Sequence, residues 1–212
     1  MSGLNKKFTV IGAVALIIMD ILVLTGTVKA SETSTFSSFM WNMVPAGLLL
    51  GTTVLCANFD VSAKKVAGVI SVIVFGFMAA FRALAFGVFI YDRITLENPV
   101  AMTYSDYTKT AELVGYMLLM VAAIFFIMFL LKGAFRKTTT IISGISFAII
   151  VGAWVVNLYN LINDAIFYDA AFSEILSAFI SDGIVWSLVM VIAYLSTFAS
   201  NLGLLKGAEK KD

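Results

Sequence analysis

The chain has 212 residues, of which 61% are hydrophobic and 13% charged, with a mean hydropathy of +1.00. Soluble domains carry about twice that share of charge, so a water-exposed globule is excluded and a lipid-embedded chain expected. A net charge of +1 gives no basic surface for nucleic acid, and with no histidine and a single cysteine there is no His-ligated haem, no His-containing zinc site, no His general base and no intrachain disulfide.

Six apolar runs are long enough to cross a hydrocarbon core of about 30 Å, which takes about 20 helical residues. The first is residues 8–28, preceded by Lys6 and Lys7 and interrupted by Asp20. Its rival reading is a signal peptide, with Val28-Lys29-Ala30 before Ser31 as a small-x-small cleavage site. The length of the run and the acid inside it favour a retained helix. The second run, 39–59, contains Pro45, Gly47 and Gly51, which place Pro45 either in a first turn or at a bend. Cys56 lies near its end and reads as a small buried hydrophobe rather than a reactive thiol.

The third run, 66–91, is crowded with Phe75, Phe77, Phe81, Phe86 and Phe89 and carries Arg82. The fourth, 111–131, begins at Glu112 and is lined by Met117, Met120 and Met128. The fifth, 139–163, ends in Asn157, Asn160 and Asn163, followed by Asp164. Gly76, Gly87, Gly115, Gly144 and Gly152 are expected to permit close helix contacts in these spans. Residues 170–181 alternate polar and apolar groups with helical period, and are expected to form a short interfacial helix on the outer surface. Asp182 opens the sixth run, 183–205.

Continuous apolar runs exclude a β-barrel, whose strands alternate, and only helices satisfy their own backbone in lipid. The expected fold is therefore all-α: one polytopic membrane domain over residues 1–212. Alternate loops carry the lysine clusters Lys6/Lys7, Lys64/Lys65, Lys132/Arg136/Lys137 and Lys206/Lys210/Lys211, while the others hold only Lys29, Arg93 and Lys109. The positive-inside rule places both termini in the cytoplasm, and the cell membrane is the expected location. The fourth and sixth runs both end in Leu-Leu-Lys-Gly-Ala. An internal repeat would give that match, but a dipole-complementing lysine and a capping glycine suffice.

Ionisable groups inside a membrane are costly and mark function by default. Asp20 and Arg82 fall at matching depth, so an ion pair between the first and third spans is expected, either fixing helix packing or forming part of a solute site. Asn157 and Asn160 lie along one face of the fifth span, as cavity lining or interhelical hydrogen-bond glue. Glu112 and Asp182, at span starts, suit the positive end of a helix dipole. With Asn163 and Asp164 they are candidates for a negative outer mouth that concentrates cations.

No Walker loop, GxSxG, HExxH or CxxC occurs. The sequence therefore points to a non-enzymatic membrane protein handling a small solute or ion, with no cofactor and no metal. A structural or assembly subunit is the rival. The expected partners are the lipid bilayer and other membrane subunits or further copies of the chain.

Overall fold

The computed structural model describes residues 10–15, 17–18, 21–22, 25, 44–58, 61–95, 104–167, 171–174 and 184–202. Among these residues the chain is helical and contains no strand. The long elements are α1 (Val44–Asn58), α2 (Val61–Thr95), α3 (Tyr104–Lys132), α4 (Arg136–Phe167) and α5 (Ile184–Leu202). Residues 10–15, 17–18 and 21–22 are helical as well.

Among the described residues, three helical segments are long and apolar enough to cross a membrane: Lys65–Arg93, Asp106–Lys132 and Arg136–Phe167. The 29 residues from Lys65 to Arg93 rise about 44 Å, close to the thickness of a bilayer with its headgroups. The helices continue past the apolar runs because hydrogen-bonded turns propagate beyond the residues that lipid selects. Tyr104–Lys132 therefore starts ahead of the apolar run, and Glu112 lies eight residues after Tyr104, inside α3. The expected place for Glu112 at a helix N-terminus is corrected; Asp106 occupies the first turn instead.

α3 is the central element, packed along α2 on one side and α4 on the other, with α1 touching α2, α3 and α5. Its Leu119, Ala122, Ala123, Phe126 and Ile127 are fully buried, and join Phe75, Ile150, Tyr194 and Phe198 in one core. The outward faces are apolar as well. On α2, Val66, Val69, Ile70, Ile73, Phe77, Leu84 and Val88 are all exposed, with Ile73 and Leu84 each at 65%. On α4, Ile141, Ile145, Val155, Ile162 and Ile166 follow the same pattern. A continuous apolar stripe of this length is untenable in water and expected in lipid. The phenylalanines of α2 divide accordingly: Phe75 is buried, while Phe77 and Phe81 stack outward with centroids 6.4 Å apart.

Two hairpin ends are defined. At one, Arg93 meets Asp106 at 2.8 Å across the α2–α3 connection and lies over the Phe89 ring. Both partners are partly exposed, so Arg93→Gln is expected to cost no more than about 1 kcal/mol in detergent unfolding, less at high salt. At the other, Gly133 adopts φ +69° and its N–H donates to the Phe129 carbonyl, an αL helix cap that accounts for the glycine in this turn. Phe135 also takes a positive φ, +68°, and packs on Phe125. Pro45 sits in the first turn of α1 as described, where its missing N–H breaks no ladder.

Polar groups stitch the helices together. The Thr52 and Ser71 hydroxyls, both buried, lie 2.7 Å apart between α1 and α2. Ser146 donates to the Gly115 carbonyl at 2.7 Å between α4 and α3. Thr52→Val should cost about 1–2 kcal/mol by leaving Ser71 unsatisfied, and adding Ser71→Ala should recover part of that loss. Unfolding of the single and double variants in mild detergent checks it.

Glycine packing is more selective than the sequence suggests. A Cβ at Gly115 would lie 2.6 Å from Ile150 Cγ1, so α3 and α4 need that glycine. Gly76, Gly87, Gly144 and Gly152 have nothing within 4 Å of a built Cβ, so the expected close contacts there are corrected. The sequence could not tell which face each glycine presents. Of the segment 170–181, only residues 171–174 are described. There Glu174 Oε2 accepts from the Ala171 N–H while the Glu174 N–H donates to the Ala171 carbonyl, the reciprocal pattern of a helix start.

Candidate functional site

Arg82 is the deepest charge among the described residues. At 1.5 Å per residue it lies about 26 Å from Lys65 and about 17 Å from Arg93 along α2, inside the apolar zone. Its guanidinium carbon sits 5.2 Å from the centroid of the Tyr116 ring on α3. A cation over a π-face in a low-dielectric interior gains roughly 2 kcal/mol. Tyr194 of α5, fully buried, interacts electrostatically with both Arg82 and Tyr116. Three helices thus bring a cation and two phenols to one level of the bundle.

Two buried polar atoms, Tyr194 Oη and Trp154 Nε1, have no hydrogen-bond partner among the described residues. Both side chains belong to the buried core. A buried donor without a partner costs about 1–3 kcal/mol, and such atoms merit a functional or structural reason. The Tyr194 ring is held edge-on to Phe198, centroids 6.0 Å apart, which fixes the direction of its hydroxyl.

Asn157 and Glu112 meet: Asn157 Nδ2 donates to Glu112 Oε1 at 3.3 Å between α4 and α3. Here the amide acts as interhelical glue. Asn160 is half-buried and Asn163 exposed. Steps of three residues turn a helix by about 300°, so each asparagine falls about 60° short of the last. The stripe therefore turns from a half-buried face to the surface, and only Asn157 is fixed to a partner helix by a described bond. Asp164 lies on the same helix. Asp20 and Asp182 lie outside the described residues, as does the contact expected between Asp20 and Arg82.

A groove of about 420 Å³ runs along the C-terminal half of α2, lined by Phe81, Leu84, Ala85, Val88, Phe89 and Asp92. It includes none of Arg82, Asn157 or Asn160. Sequence reasoning missed Tyr116 and Tyr194. For Tyr194 the available signal was depth, because tyrosine in membrane helices concentrates at the interfaces and this one lies midway along an apolar run; Tyr116, five residues into its run, carried a weaker one.

No protein-family model, curated protein or solved structure matches the chain. Its function therefore rests on the residues themselves.

Proposed function

We propose that the chain is a six-span protein of the cell membrane, both termini cytoplasmic, that handles a small solute or ion at a polar centre around Arg82. The observation that carries this reading is the charge itself. Arg82 lies within an apolar helix beside Tyr116 and the buried hydroxyl of Tyr194, a grouping that costs stability and that lipid-facing packing does not require. Asp20 completes the centre by pairing with Arg82. Support comes from Gly12, where a Cβ would approach Ser196 Oγ and the Ala193 carbonyl. The first helical stretch therefore runs against α5, the helix that carries Tyr194.

The second reading, an assembly subunit with other membrane proteins or a second copy as partner, is supported by the outward face of α2. Gly76 and Gly87 there are open, Ala80 and Ala83 are exposed, and the Phe77–Phe81 stack stands beside them. Small residues of this kind let helices approach closely in lipid.

A thermal-shift screen of the purified protein against inorganic ions, carboxylic acids, amines and sugars separates the two. Solute handling predicts a compound that raises the unfolding midpoint of the wild type and leaves Arg82→Met unchanged. A screen without such a compound, together with a stable co-purifying membrane protein, supports the subunit instead.

A further inference from the structure

The two ends of the bundle differ in charge. A Cβ at Gly68 would run into the Leu131 side chain, so the start of α2 lies against the end of α3. That contact brings Lys65 to the same end as Lys132, and the tight Gly133–Phe135 turn adds Arg136 and Lys137. All four side chains are exposed. Asp92, Asp106 and Glu112 sit toward the opposite end, where Asp106 pairs with Arg93 and Glu112 with Asn157. Among the described residues no carboxylate side chain stands at the lysine end.

The arrangement is electrostatically unfavourable by itself. Arg136 and Lys137 occupy the first turn of α4, which contains no acid, so two cations sit where the helix dipole is already positive. Phe135 holds a left-handed backbone conformation, strained for a residue with a side chain, and remains 43% exposed with one flank on Phe125. Within the six positions from Lys132 to Lys137 the turn thus presents a half-exposed aromatic ring and three cations at the end of a membrane-length helix. An amphipathic ring suits the headgroup boundary, and cations beside it attract anionic lipid.

We propose that the face formed by Lys65, Lys132, Arg136 and Lys137, with the Phe135 ring among them, binds the headgroups of anionic phospholipids. The lipid phosphates supply the negative charge that the described residues lack at this end. The ring enters the boundary between headgroups and acyl chains and fixes the depth of the turn. The face depends on no solute site, so it stands whether or not Arg82 handles a substrate.

The test is thermal unfolding of the full chain in a neutral detergent with phosphatidylglycerol, phosphatidylcholine or inorganic phosphate added at equal concentration. Phosphatidylglycerol should raise the midpoint; the other two should not. Each cation near an anionic surface gives about a fivefold gain in partition, so the triple variant Lys132→Gln/Arg136→Gln/Lys137→Gln should need at least tenfold more phosphatidylglycerol for the same rise, by that rough scale. Lys109→Gln, a substitution at the opposite end, should respond as the wild type does. Should the triple variant not fold, the wild type is titrated with salt, and its response to phosphatidylglycerol should fade as screening grows. Equal stabilisation by phosphatidylcholine or by inorganic phosphate, an undiminished response in the triple variant, or a salt-insensitive response overturns the proposal.

Discussion

Replacing Gly115 with valine (Gly115→Val) is expected to destabilise the bundle by about 2–4 kcal/mol. The first Cβ atom would already stand 2.6 Å from Ile150 Cγ1 and 3.3 Å from Ile149 Cγ2. Ile150 is fully buried and branched at Cβ, so it has little room to turn away. Relief must come from separating α3 and α4, the most extensively packed pair of helices. That separation would also stretch the bond from Ser146 to the Gly115 carbonyl. Gly144→Ala and Gly152→Ala provide the contrast. Both positions open onto space, and alanine favours helix by up to about 1 kcal/mol, so these variants should match or exceed the wild type. Reversible unfolding in mild detergent gives the comparison, and a Gly115→Val protein as stable as Gly144→Ala would refute the described α3–α4 contact.

Arg82→Met is the second large effect. The proposed pairing with Asp20 makes this variant leave a carboxylate uncompensated in a low-dielectric interior, a loss of about 3–5 kcal/mol. Asp20→Asn alone leaves the guanidinium over Tyr116 without its counter-charge and should also destabilise. The double variant removes both charges and should regain most of the loss, since the cost arises from an unmatched charge rather than from missing contacts. A coupling energy above about 1 kcal/mol in this cycle supports the pair. Strict additivity of the two substitutions would rule it out. Any compound found to stabilise the wild type should be tested on the double variant too, because recovered stability without recovered binding separates a solute site from a packing device.

The membrane character of the chain was legible in its sequence because lipid imposes one simple demand, sustained apolarity over a helix of fixed length. Lys65–Arg93, Asp106–Lys132 and Arg136–Phe167 are long apolar helices for that reason. Their ends were less legible, since polar turns such as the one around Asp106 continue the helix outside the lipid. Glu112 shows the consequence: hydropathy places it at a helix start, while the backbone places it inside α3, in reach of Asn157. The site was legible in part. Arg82 is conspicuous as a charge in an apolar run, but Tyr116 and Tyr194 count as ordinary apolar bulk until the packing brings them to it. The same holds for Thr52 and Ser71, and for Gly115 among the glycines. Which face of a helix looks inward is decided by neighbouring helices, and a uniformly apolar sequence carries little periodic signal for it.

The central claim, that these helices cross a membrane, is most directly tested by labelling single cysteines from one side of intact cells. Cys56 is first replaced by Ala, and then Asp92→Cys and Lys137→Cys are introduced separately. These positions lie at opposite ends of the α2–α3–α4 bundle. A membrane-impermeant maleimide should label Asp92→Cys in intact cells and Lys137→Cys only after permeabilisation. Labelling of both from the same side without permeabilisation would contradict the account.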